Sequence, residues 1–107
     1  MFVDKKESSI ISLNLDLEKI DENVLSEIIF DAEEIIRQYI VKEVGDKLVS
    51  DLNITIIVDK NDKITFTIDV AFSAPKFLEM EYDNIIDNAI RNAAKVIEER
   101  LMMYVKK

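Results

Sequence analysis

The chain has 107 residues, 49% of them hydrophobic and 34% charged, which is the length and composition of one soluble domain with an apolar core. Twenty-two acidic and 14 basic residues give it a net charge of −8. It has no cysteine and no histidine, which excludes disulfides, thiol or imidazole catalysis and the usual zinc ligands. With Gly45 as the single glycine, no glycine-rich phosphate-binding loop can form.

The N-terminal segment predicts neither a signal peptide nor a membrane anchor. Asp4, Lys5 and Lys6 lie near its start, no apolar stretch of signal-peptide length follows them, and residues 1–8 are predicted to be flexible. No apolar run reaches the roughly 18 residues of a transmembrane helix. We therefore expect a cytoplasmic protein. Its content of Ile, Lys and Glu is typical of thermophile proteins, although an AT-rich genome would give a similar composition.

The first half of the chain changes from a strand pattern to a helix pattern. Apolar and polar residues alternate over 10–17, which predicts a half-buried strand. Apolar residues then recur every three or four positions and predict a long helix over 21–44. Asp21 is a suitable N-cap, and Gly45 is a suitable residue to end the helix.

The second half begins with two alternating runs, 52–59 and 63–72, which predict a β-hairpin. Because side chains alternate along a strand, only registers in which the paired residue numbers have an even sum bring the two apolar faces together. We predict the register that places Asp59 opposite Lys63, since this pairs opposite charges across the strands. Helical spacing then returns and predicts a last helix over 82–105.

The whole chain, 1–107, is therefore predicted to be a single α+β domain with the order β-α-β-β-α. Each strand has one apolar and one polar face, so we expect two layers. One layer is a three-stranded antiparallel sheet with the strand order 2-3-1, and the other consists of the two long helices on one face of that sheet. Ala32, Ala89 and Ala93 lie near the centres of the apolar helix stripes and would allow close packing.

Acidic residues are the remaining candidates for chemistry. Three pairs offer the oxygen ligands that Mg²⁺ prefers, namely Glu33 with Glu34, Glu98 with Glu99, and Asp83 with Asp87. Glu33, Glu34 and Glu99 fall on outer helix faces, where charge serves solubility. We therefore expect no enzyme activity, cofactor, metal or small-molecule substrate, and keep an acid-only Mg²⁺-dependent enzyme as an alternative.

Nucleic-acid binding requires a basic stripe or stacking aromatic residues. The basic residues are scattered, and the net charge of −8 repels phosphate. Lys42 and Lys47 form a small local patch. Direct nucleic-acid binding is therefore not expected, while a role as an accessory subunit of an RNA-modifying or RNA-processing complex remains a second alternative.

Several apolar residues fall outside the predicted core. Phe30 and Val41 are eleven positions apart on the first helix, so they share a direction opposite its core stripe. A group of such residues indicates an interaction surface, and methionines would let it adapt to a partner. The candidate residues are Phe30, Val41, Phe77, Leu78, Met80, Met102 and Met103. We expect a protein partner or a second copy of the chain in a homodimer.

Four runs of the sequence resemble a small archaeal family of proteins of unknown function: AEEIIRQYIVKEV, DLNITIIVD, KITFTIDVAF and DNAIRNAAKVIEERL. The resemblance implies a helix–hairpin–helix core and genes that often lie beside the gene of the prefoldin β subunit, and it assigns no active site. The β-α-β-β-α order is also similar to the small dimerising subunit of the KEOPS complex. That subunit is non-catalytic, so the second resemblance implies a non-catalytic scaffold. Together with the missing catalytic residue types and the apolar residues outside the core, it leads us to expect a non-catalytic interaction or assembly module.

Overall fold

The computed structural model describes residues 1–11, 14–75 and 81–106. Its elements in chain order are strand β1 (Phe2–Ile11), a 3-10 helix (Leu17–Lys19), helix α1 (Glu22–Val44), strand β2 (Ser50–Lys60), strand β3 (Ile64–Ser73), helix α2 (Tyr82–Leu101) and a second 3-10 helix (Met102–Tyr104). The strands form one antiparallel sheet in the order β1-β3-β2. This confirms the predicted α+β class, element order and strand order. Among the described residues, no helix is both long enough and apolar enough to span a membrane.

Helix α1 begins and ends at the residues predicted for it. The Asp21 carboxylate accepts a hydrogen bond from the backbone N–H of Val24 at 2.9 Å, which satisfies one of the free donors of the first turn. At the other end, Gly45 has φ of 109°, a region that favours glycine, and its N–H donates to the carbonyl of Val41 at 2.9 Å. Local sequence signals therefore determine both ends of this helix.

The core lies between the sheet and the two helices. The central strand β3 supplies its most deeply buried row: Ile64, Phe66, Ile68, Val70 and Phe72. Ala32 on α1 and Ala89 and Ala93 on α2 are fully buried, as the helix stripes predict. Helix α1 lies over β2 and helix α2 lies over β1. The small alanine side chains let both helices pack closely on the same face of the sheet.

The first strand lies nearer the N-terminus than the sequence predicts. Strand β1 pairs with β3 along its whole length, and Val3, only 3% exposed, lies opposite Phe72. Residues 1–8 therefore form most of an edge strand, and the prediction that they are flexible is wrong. The predicted strand over 10–17 is also wrong in position, since β1 ends at Ile11; residues 12–13 lie outside the described residues.

Two features of the structure explain why the sequence predicts the first strand in the wrong place. Lys5, Glu7 and Ser9 occupy the helix-facing positions of β1, so the strand lacks the alternating apolar signal. The alternating segment that follows pairs with the C-terminus instead of β3. The N–H of Asp16 donates to the carbonyl of Tyr104 at 2.7 Å, and these two segments close one end of the core.

The hairpin register differs from the predicted one by two residues. Asp59 lies opposite Thr65 instead of Lys63, so the predicted register is wrong, although the apolar faces still coincide because the shift is even. An exposed pair of opposite charges contributes only a few tenths of a kcal/mol, too little to decide the register. In the observed register the ammonium of Lys60 donates to the carbonyl of Ile20 at 2.7 Å, a contact with a distant segment.

Candidate functional site

Two of the predicted interaction residues line neighbouring depressions where α1 passes the end of α2. Phe30 is 63% exposed and lines a shallow depression of about 310 Å³ together with Ser26 and three charged residues. Met103 is 77% exposed and lines an adjoining depression. Both depressions are bordered by Glu27 and Arg100. We name this surface the α1–α2 groove, and it consists of Glu27, Phe30, Asp31, Arg100 and Met103.

An ion pair joins the two helices within the α1–α2 groove. The Nη1 atom of Arg100 lies 2.7 Å from the Oδ2 atom of Asp31. Both side chains are about 40% exposed, so the pair contributes little to stability, on the order of 0–1 kcal/mol. Its effect is to hold a cation and an anion at defined positions between the two exposed apolar side chains.

Of the other predicted interaction residues, Val41 and Met102 do not line this surface. Val41 is half-buried and lies about 16 Å further along α1 from Phe30, at a rise of about 1.5 Å per residue. Met102 is 55% exposed at the end of α2 but does not line either depression. Phe77, Leu78 and Met80 lie outside the described residues. Among the described candidates, Phe30 and Met103 therefore line the groove, and Val41 and Met102 do not.

Three of the six acidic residues considered for Mg²⁺ take part in ion pairs in the structure, namely Glu33, Glu34 and Asp87. Arg37 donates to Glu33 at 2.9 Å and to Glu34 at 2.8 Å. These two carboxylates hold the pKa of the Arg37 guanidinium above its ordinary value. Over residues 1–11, 14–75 and 81–106, no three acidic side chains come close enough together to hold a metal ion. On the surface of α1, Glu33 and Glu34 are therefore hydrogen-bond partners of Arg37.

A charged network between β1 and α2 has no counterpart in the sequence predictions. The ammonium of Lys5, on the helix-facing side of β1, donates to Asp87 at 2.7 Å and lies 3.6 Å from Glu7. Arg91 lies 3.1 Å from the same aspartate. The hydrogen bond from Lys5 lowers the pKa of Asp87 below its ordinary value. Only the pairing of β1 with β3 brings these side chains under α2, so no local pattern could have revealed them.

The face of the sheet away from the helices is mostly polar. Strand β1 supplies Asp4 and Ser8 to this face, opposite Ala71 and Thr67 of β3. The hydroxyl groups of Ser8 and Thr67 lie 2.9 Å apart. A hydrogen bond with the neighbouring Asp69 raises the pKa of Asp4. Three exposed apolar side chains interrupt this polar face: Phe2, Ile10 and Ile57.

The two lysines considered for RNA contact lie away from the α1–α2 groove. Lys42 is exposed in the last turn of α1, and Lys47 is exposed in the turn that follows it. Neither residue lines the depressions beside Phe30 and Met103. RNA contact through these residues stays a prediction.

Comparison with known proteins places the chain in a family. The family described as "Protein of unknown function (DUF3194)" matches residues 17–100. The chain belongs to the DUF3194 family. An uncharacterised protein of Pyrococcus horikoshii is 27% identical over 94 residues, which cover 88% of this chain and 81% of that protein. The predicted resemblance to a family of unknown function with archaeal members is thereby confirmed.

A solved structure supports the fold of this DUF3194 protein. The crystal structure of a protein from Thermococcus onnurineus NA1 matches with a TM-score of 0.70 and 22% identity, covering 96% of this chain and 94% of that one. Coverage of 96% of 107 residues leaves only about four uncovered, so the match includes most of β1, which the family match over residues 17–100 does not reach. The similarity to the KEOPS subunit and the link to prefoldin genes stay predictions.

Proposed function

We propose that this DUF3194 protein is a non-catalytic interaction module whose contact surface is the α1–α2 groove. The observation that carries the proposal is the exposure of two large apolar side chains, Phe30 and Met103, in two depressions that share Glu27 and Arg100. Exposed apolar groups rimmed by polar ones mark interaction sites. Aromatic and methionine side chains are also enriched in interface cores.

The shape of the groove favours a protein surface over a small molecule. Pockets for small ligands usually enclose about 300–1,000 Å³ and are mostly apolar. The depression beside Phe30 is at the lower end of that range, and three of its five lining residues are charged: Glu27, Asp31 and Arg100. A partner would place an apolar side chain against Phe30 and polar groups around it.

A second copy of the chain meets this requirement. In a dimer with two-fold symmetry the same patch contacts itself, so the surface must be complementary to its own charges. The α1–α2 groove carries both signs, with Arg100 beside Asp31, and a two-fold axis would place each cation near the anion of the other copy. A homodimer is therefore the first assembly to test.

Light scattering at micromolar concentration tests the proposal directly. We expect the wild-type protein to be a dimer and Phe30→Ser to be a folded monomer, because Phe30 is 63% exposed and contributes little to the core. Ile57→Ser is the matched control, since Ile57 is 54% exposed on the opposite side of the molecule, and it should remain dimeric.

Affinity purification from the native host with mass spectrometry extends the test to other partners. A partner that uses the groove should be captured by the wild type and by Ile57→Ser but lost with Phe30→Ser. A protein that is a strict monomer, and for which Phe30→Ser changes neither its solubility nor the proteins captured, would contradict the proposal.

A further inference from the structure

The two edge strands of the sheet differ in how they are protected. Strand β1 carries Lys5 and Glu7 on its helix-facing side, and Asp87 of α2 holds the ammonium there. Inward charges of this kind discourage another strand from pairing with an edge. Strand β2 has no charged residue over the seven positions Leu52–Val58, and four of the seven are Ile or Val. An edge strand of this composition is a template for strand pairing.

The helix-facing row of β2 is only half covered. Its four apolar side chains are half-buried: Leu52, Ile54, Ile56 and Val58. Their neighbours on β3 are at most 2% exposed, as Ile68 opposite Ile56 shows at 1%. Helix α1 therefore covers the side of this row that faces β3 and leaves the side that faces away from β3 exposed to water. A further strand beside β2 would remove that flank from water.

The helices are wider than the sheet beneath them. Strands lie about 4.8 Å apart, so the centres of β1 and β2 are about 10 Å apart. Two helices whose axes pack about 9 Å apart lie almost directly above the two edge strands, so the outer side of each helix reaches about 5 Å beyond the centre of its edge strand. Asp31 points toward Arg100 of α2, and Ile29 and Glu33 therefore lie on the opposite, overhanging flank of α1.

This geometry decides what can occupy the space beside β2. A second copy that paired its own β2 antiparallel to this one would place both α1 helices on the same face, with their axes within about 5 Å, closer than the 8–10 Å that packed helices need. A single extended peptide strand carries no helix and fits beneath the overhang. The β2 edge therefore suits an extended segment of another protein better than a second copy paired antiparallel.

The charges at the ends of the edge define the partner further. Asp51 and Asp59 border the uncharged run, both are exposed, and neither forms an ion pair with another described residue. The nearby ammonium of Lys60 donates instead to the carbonyls of Leu17 and Ile20. The negative ends, on a chain of net charge −8, favour a peptide with basic flanks.

We propose that the β2 edge binds an extended peptide segment of a partner protein by strand addition. The segment would present uncharged residues of high β-propensity to Leu52–Val58 and lysine or arginine to Asp51 and Asp59. Backbone hydrogen bonds would supply affinity, and the half-buried row would select apolar side chains at alternate positions. The proposal rests on the proposed function as an interaction module, but it uses a different surface from the α1–α2 groove.

The test uses the full chain and a synthetic peptide of seven alternating valines and threonines with two lysines at each end. Amide shifts and hydrogen exchange followed by NMR should show micromolar binding and protection confined to residues 50–60. A control peptide with N-methyl groups on alternate amides keeps its side chains but loses the backbone N–H groups that would donate to β2. It should bind at least about tenfold more weakly.

Replacing Asp51 and Asp59 together by asparagine should weaken binding severalfold at low salt. Asparagine tolerates the positive φ of 53° at Asp51, so the fold is preserved.

Each failure has a distinct signature. Phe30→Ser, which tests the α1–α2 groove, should leave peptide affinity unchanged, so the two proposals can fail separately. Equal binding of the N-methylated peptide, protection of β1 instead of β2, or no binding at about millimolar peptide would each overturn the β2 proposal. Protection of β2 that grows with protein concentration alone would assign the edge to a second copy and would overturn it as well.

Discussion

The position of β1 can be tested at a single side chain. Val3 lies in the segment that the sequence predicts to be flexible, yet the structure leaves it only 3% exposed, opposite the fully buried Phe72. We predict that Val3→Ala destabilises the protein. Phe2→Ala is the matched control, because Phe2 is the adjacent residue, is 66% exposed and lies on the other face of the strand.

The size of the effect follows from the burial of Val3. Val3→Ala removes two methyl groups from the core, and each is worth about 0.8 kcal/mol in transfer from water. The cavity left behind adds to this, which gives a loss of about 2 kcal/mol in the free energy of unfolding. With an unfolding entropy of about 2.1 cal/mol/K per residue, the melting temperature of the 107-residue chain should fall by about 9 °C.

Thermal unfolding followed by circular dichroism, together with urea unfolding, measures both variants. We expect Phe2→Ala to stay within about 0.5 kcal/mol of the wild type, as exposed positions usually do. The urea midpoint should shift for Val3→Ala without a change in slope, which shows that stability and not compactness has changed. If both variants unfold like the wild type, the N-terminal segment is not docked on β3, and our account of the sheet is refuted.

Two further predictions concern the end of α1 and the charged network. Gly45→Ala should lower the free energy of unfolding by about 1–3 kcal/mol, because φ at this position is 109° and alanine is strained there. The added Cβ would lie 3.6 Å from Leu48, an ordinary contact distance, so backbone strain and not a clash is the cause. An unchanged midpoint of urea unfolding would contradict this prediction. Asp87→Asn should destabilise the protein near neutral pH, where the Asp87 carboxylate accepts from Lys5. Because Lys5 lowers the folded-state pKa of Asp87, this contribution is present above the ordinary aspartate pKa and is lost as pH falls through the folded-state value. The difference in melting temperature between wild type and Asp87→Asn should therefore shrink as pH is lowered from about 7 to about 2, and a constant difference would contradict the assignment.

The candidate surface could be predicted only in part. Phe30 was found because a large apolar side chain on the charged side of an amphipathic helix is visible in the spacing alone. Its neighbour Met103 was found as an apolar residue, but its position beside Phe30 depends on how α2 crosses α1. The β2 edge was not predicted as a binding surface, since its exposure follows from the width of the sheet relative to the helices.

The sequence by itself determined the features that depend on neighbouring residues. The cap at Asp21, the stop at Gly45 and the apolar stripes of both helices are set by spacing along the chain, and the structure confirms them. The alternation in β2 and β3 likewise determined which face of the hairpin is buried.

Only the tertiary structure decided which distant segments pair. Strand β1 has polar residues at its inward positions, yet it pairs with β3 along its whole length and buries Val3. Asp87, eighty-two residues away from Lys5, accepts a hydrogen bond from the inward ammonium of that lysine. The contact of Lys60 with Ile20 accompanies the hairpin register in the same way. Such contacts join residues far apart in the chain, so no periodicity records them. The missing cysteines and histidines exclude chemistries from the outset, while the surfaces left open to partners depend on how the strands and helices meet.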